Sequence, residues 1–126
     1  MRVALRRLLA VLLLAAGLFG GTGIAATTAG ALGWGAIAIS PDTGRAGYSK
    51  GLNSAIEAEQ AAVGLCKARD CRAVVNFTNA CGAVAQSFNT SWAWGRDRSS
   101  TGAQNRALIS CSQYGAGCRV VGWVCS

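Results

Sequence analysis

Six cysteines and no histidine in a chain of 126 residues restrict the available chemistry before any fold is considered. A serine or cysteine nucleophile of the triad type lacks its usual imidazole base. A mixed Cys/His zinc site is excluded for the same reason. A site of four cysteines drawn from Cys66, Cys71, Cys111 and Cys118 has 4 and 6 residues between its paired ligands, where zinc usually takes about two to four. An even cysteine count in a short chain reads instead as disulfides. The acids are Asp42, Glu57, Glu59, Asp70 and Asp97. Asp42 reads as a turn residue, Glu57 as a helix cap and Glu59 as part of a polar helix face, while Asp97 sits between Arg96 and Arg98. Two carboxylates can hydrolyse a glycosidic bond, but no spacing here proposes such a pair. No glycine-rich phosphate loop is present. The expectation is no catalytic residue, no metal and no cofactor.

The stretch Ser91-Trp92-Ala93-Trp94-Gly95-Arg96-Asp97-Arg98 carries more information. In a strand Trp92 and Trp94 share one face. Tryptophan beside arginine is the composition of binding hot spots, so Trp92, Trp94, Arg96 and Arg98 are the candidate binding residues. The competing reading puts both tryptophans in the core of a small, alanine-rich domain, and it is the preferred one. Trp34 and Trp123 read as core.

Around these residues the chain reads as strands and helices. Gly35–Ser40 alternates small and branched residues, a strand pattern. Pro41-Asp42-Thr43-Gly44 is a turn, and Arg45–Ser49 runs back. Ser54-Ala55-Ile56-Glu57 is a capping box opening a helix with Ala55, Ala58, Ala62, Leu65 and Cys66 on its buried stripe. Cys71–Phe77 is a third strand. The order then repeats: strand Gly82–Gln86, turn Asn89–Ser91, strand Trp92–Arg96, a capping box at Thr101–Gln104, a helix with Ala103, Ala107, Leu108 and Cys111 buried, and strand Cys118–Cys125.

The repetition is visible at an offset of 47 residues. Gly35, Ala36 and Ala38 return as Gly82, Ala83 and Ala85; Cys71 and Arg72 return as Cys118 and Arg119. The nine identities at this offset cluster at element boundaries, as expected of a structural duplication. Cys66 and Cys111 do not obey it, since Cys111 aligns with Gly64. At this offset Arg45 and Gly47 stand where Trp92 and Trp94 do, which makes the tryptophan stretch a property of one unit. The reading is an α+β fold of two strand–strand–helix–strand units, about 34–78 and 81–125, forming an antiparallel or mixed sheet with two helices on one face. A helix end and the next strand start come within disulfide reach, which pairs Cys66 with Cys71 and Cys111 with Cys118. Cys81 and Cys125 pair by elimination. A third strand antiparallel to the first brings the end of one to the start of the other.

The N-terminus has its own character. Arg2, Arg6 and Arg7 precede the apolar run Leu8–Phe19, and small residues follow. This is the pattern of a secretory signal peptide, with residues 1–31 as leader and short linker, cleavage after Ala25 or Ala31, and 32–126 as the domain. The net charge of +7 falls to +4 once the three leader arginines are removed. A mildly basic, dispersed surface has no nucleic-acid motif, so no nucleic-acid partner is expected.

Trp34–Ala38, Gly47-Tyr48-Ser49, the Ala58–Ala62 helix leading to Cys66, Cys71–Phe77 and Asn79-Ala80-Cys81 resemble the bacterial family of domain of unknown function 4189, over about residues 34–125. The resemblance implies a small exported domain, and transfers no catalytic residue. The functional expectation is a secreted or envelope-associated interaction module, not an enzyme. Its partner would be a protein or a cell-envelope polymer, bound in an inhibitor-like, immunity-like or host-directed role. The alternatives are a carboxylate-dependent enzyme acting on envelope polymers and a structural envelope protein.

Overall fold

A computed structural model describes residues 33–126; the expected leader lies outside the described residues. The elements follow the expected order: β1 (Trp34–Ile39), β2 (Ala46–Leu52), α1 (Ala55–Cys66), β3 (Arg72–Thr78), β4 (Cys81–Gln86), β5 (Trp92–Asp97), α2 (Ser100–Ser112) and β6 (Arg119–Cys125). The fold is α+β, with two strand–strand–helix–strand units. The strands divide into two three-stranded sheets, β2-β1-β3 and β5-β4-β6, with every pairing antiparallel. Each helix covers one face of its own sheet.

The alternation of β1 and β4 explains this division. Ala36 and Ala38 turn to α1 and pack on Ala58, Ala62 and Cys66. Ala83 and Ala85 turn to α2 and pack on Ala103, Ala107 and Cys111. The opposite faces hold Ile37, Ile39, Val75, Phe77 and Val84, which meet one another. The two sheets therefore stack through these faces, with the helices outermost. A strand apolar on both faces must be covered on both, and Gly35–Ile39 is buried throughout. Small residues let the outer layers close. A methyl group on Gly47 would lie 2.1 Å from the Ala62 carbonyl oxygen, and one on Gly95 would lie 2.5 Å from the Ala107 nitrogen. The expected α1 stripe loses Leu65, which is 55 % exposed.

The duplication extends to irregularities. In β3 the pairing with β1 slips between Ile37↔Val75 and Ala38↔Ala73, leaving Val74 as a bulge. In β6 the pairing with β4 slips between Val84↔Gly122 and Ala85↔Val120, leaving Val121 as a bulge 47 residues later. Elsewhere the offset drifts. The β4–β5 connection is one residue shorter than its counterpart, so Tyr48 corresponds to Trp94 and Ala46 to Trp92. β2 has a further bulge that β5 lacks, so the helices are related by 45 residues: Ser54 to Ser99, Ala58 to Ala103, Ala62 to Ala107 and Cys66 to Cys111. The loop after α2 is two residues longer and restores the offset of 47 at Cys118. This accounts for the misaligned helical cysteines and corrects two expectations. Arg45 and Gly47 are not the counterparts of the tryptophans, and the second cap is Ser99, not Thr101.

Ser99 accepts a hydrogen bond from the Gly102 N–H at 3.0 Å, as Ser54 does from the Glu57 N–H at 3.2 Å. Each satisfies one orphan donor of its helix. Glu57 reaches back one residue beyond the cap, accepting from the Asn53 N–H at 3.2 Å. Three disulfides close the framework as expected: Cys66–Cys71, Cys81–Cys125 and Cys111–Cys118.

Candidate functional site

β5 places the four candidate residues along one side of the molecule. Ala93 faces α2 within the helix-side core, and Gly95 lies against the α2 backbone. Trp92, Trp94 and Arg96 take the opposite face by alternation. Trp92 and Trp94 then part company. Trp92 is half-buried and packs against the core between the sheets, and its indole Nε1 is buried without a hydrogen-bond partner. Trp94 is 45 % exposed. Its counterpart Tyr48 lies over Gly122, where any side chain would collide with the phenol, and burial raises the Tyr48 pKa above its ordinary value. The position equivalent to Gly122 beside Trp94 is Val75, which is itself buried. Val75 and Trp94 border one hollow, and the Trp94 ring stays largely outside.

An open hollow of about 600 Å³ lies beside Trp94, bordered by Arg96, Arg106, Glu59, Asn76 and Ile109. A second, of about 470 Å³, runs past Trp92 to Tyr114. A third, of about 530 Å³, holds Arg98 and Trp34. Arg96 donates to the Asn76 carbonyl at 3.2 Å, tying β5 to β3. Arg98 follows the strand and is exposed. Trp34 is partly buried against the α1 side. Trp123 is 49 % exposed on β6, contrary to its expected place in the core. It sits on an outer strand, paired with Ala83 of the central strand.

The sequence reading missed Arg106, Ile109, Ser110 and Gln113, all of which border the hollow beside Trp94. Their spacing is helical, on a face of α2 next to the alanine stripe. That periodicity was the available signal.

Four of the five acids are engaged in local structure through their carboxylates. Glu57 holds its helix start. Glu59 accepts from the Asn76 side-chain amide at 2.7 Å. The Asp70 carboxylate accepts from the Ser40 hydroxyl and from the Asp42 N–H at 2.9 Å. Those two bonds, the hydroxyl first, hold Asp70 below the usual carboxylate range. Asp97 is lowered chiefly by the Ser99 N–H and hydroxyl, with Arg106 and Arg98 adding positive charge. The Arg106–Asp97 ion pair spans 3.4 Å. A carboxylate lowered in the fold stabilises it above the unfolded pKa, and that contribution disappears as pH falls through the folded value. Both groups therefore place the acid loss of stability below about pH 4. Denaturant midpoints measured across that range should fall, and should fall less in Asp70→Asn. Among the described residues no group of three or more His, Cys, Asp or Glu could hold a metal ion.

None of the curated proteins matches the chain. The NMR structure of Rv1813c from Mycobacterium tuberculosis is similar, with 28 % identity and a TM-score of 0.57 over 75 % of this chain and 76 % of that chain. The model of the domain of unknown function family DUF4189 matches residues 34–125, the span of all six strands and both helices, and the chain belongs to that family.

Proposed function

We propose that this domain is an extracytoplasmic binding module whose contact surface is the β5 side, with Trp94 at its centre and Arg96 and Arg98 on its rim. The observation that carries the reading is the Trp94 indole, 45 % exposed beside an open hollow on a disulfide-linked scaffold. Exposed aromatic surface next to arginine is the composition of interface anchors. The three disulfides fit a protein that works outside the cytoplasm, and no helix among the described residues is long and apolar enough to cross a membrane. Export through the N-terminal signal peptide belongs to the same proposal. The domain is not an enzyme in this reading. Asp70 and Asp97 are shifted away from the raised pKa a general acid needs, and Glu57 and Glu59 are engaged in local hydrogen bonds.

The test is capture of envelope and culture fractions on the immobilised domain. Trp94→Ala should leave the fold intact and weaken capture about tenfold or more. Trp123→Ala removes an equally exposed ring from the far edge and should leave capture unchanged. Equal capture by wild type and Trp94→Ala would remove the basis of the reading.

A further inference from the structure

The four outer strands of the two sheets are β2, β3, β5 and β6. β2, β3 and β6 each pair with an irregular register. β5 pairs without a slip, from Cys81↔Asp97 to Gln86↔Trp92. Bulges twist an edge away and spoil it as a template for another strand. Among the described residues β5 is therefore the regular edge.

Three hollows border β5. The three hollows follow one another, touching Ser91 to Trp94, then Trp94 to Arg96, then Arg96 to Arg98. Successive side chains of a strand point to opposite faces. Together the hollows touch every residue from Ser91 to Arg98, on both faces of the strand, as space beside an edge would. On such an edge alternate residues direct their N–H and C=O outward.

We propose that an extended polypeptide segment bearing carboxylates adds to β5 as a fourth strand of its sheet. The proposal rests on the binding reading above and names the partner's chemistry. A row of outward donors and acceptors at strand spacing matches a polypeptide main chain, which a polysaccharide does not reproduce. The charges bordering the edge are Arg96, Arg98, Arg106, Glu59 and Asp97. Asp97 is held by Arg106 and Ser99, and Glu59 by Asn76. Arg96, one of whose guanidinium nitrogens donates to the Asn76 carbonyl, and Arg98 have no carboxylate partner among the described residues, and their charge selects for carboxylates in the incoming segment. A second copy of this chain is a poorer occupant, because a two-fold pairing brings the same arginines to both sides of the seam.

The probe is an eight-residue peptide of alternating valine and glutamate, acetylated and amidated at its ends, titrated into the oxidised, isotope-labelled domain. The expected result is amide shifts and slowed hydrogen exchange confined to Ser91–Arg98. N-methylation of the four central peptide residues keeps charge and composition but removes main-chain donors. It should weaken binding at least about tenfold. Arg96→Glu with Arg98→Glu should weaken it by about tenfold as well. Equal binding of the methylated peptide overturns strand addition, as do shifts on another surface or no binding at millimolar peptide. Protection of β5 that rises with protein concentration alone overturns it in favour of a second copy. A solubilised envelope polysaccharide that shifts the β5 amides where the peptide does not also overturns strand addition, and leaves the binding reading intact. Trp94→Ala capture tests that reading separately.

Discussion

Phe77→Ala is expected to be the most damaging single truncation in the domain, lowering stability by about 3–5 kcal/mol. The ring is 2 % exposed and lies where two central strands have no side chain. A methyl on Gly35 would come within 2.5 Å of it, and one on Gly82 within 2.3 Å. One aromatic from β3 thus fills space left by a glycine of its own sheet and by a glycine of the other. Its removal opens a cavity between layers whose glycine lining has no side chains to collapse inward. For a domain of this size each kcal/mol moves the thermal midpoint by about 4–8 °C, so the loss should be plain in thermal and urea melts of the oxidised protein. Ile56→Ala, at a position 66 % exposed, should change stability by within about 0.5 kcal/mol. A Phe77→Ala variant as stable as Ile56→Ala would show that the two sheets do not depend on this ring.

The second large effect concerns the disulfides, which are unequal. Cys81–Cys125 has a sequence separation of 44, against 5 for Cys66–Cys71 and 7 for Cys111–Cys118. In the chain-entropy account the long loop contributes about 4 kcal/mol and each short one about 2 kcal/mol. Replacing Cys81 and Cys125 together by alanine should therefore cost about twice as much as replacing Cys66 and Cys71. Paired denaturation curves at one temperature measure the ratio. Equal costs would mean that loop length does not govern these bridges, and would point to packing of the buried Cys66 and Cys81 sulfurs instead.

How far the sequence could be read varies by element. The strands and helices stand out because alternation, turn residues and serine caps agree locally at each of them. The disulfide pairing follows from the same topology. The stacking of two sheets was harder to see. Ile37 and Ile39 announce an apolar face, but what covers it is a second apolar face 47 residues away. A single-offset comparison also hid the equivalence of Cys66 with Cys111, because shortenings before the helix and a lengthening after it cancel overall. Trp92 and Trp94 share one strand face and one chemistry, yet only Trp92 joins the core. That outcome depends on how the two sheets stack, and no local pattern encodes it. The α2 border of the site forms a second helical stripe, Arg106, Ile109, Ser110 and Gln113, beside the alanine one, and the alanine stripe is the stronger signal of the two.

No disulfide crosses from one unit to the other. Cys66–Cys71 lies within the first, and Cys81–Cys125 and Cys111–Cys118 lie within the second. The halves are joined by the chain at Asn79 and Ala80 and by the contact of their inner sheet faces. Either half alone would present that face to water and would need its like to cover it. The molecule is, in effect, a homodimer written in one chain, whose two halves need not stay alike: Tyr48 is half folded over Gly122 in one, while its counterpart Trp94 stands 45 % exposed in the other.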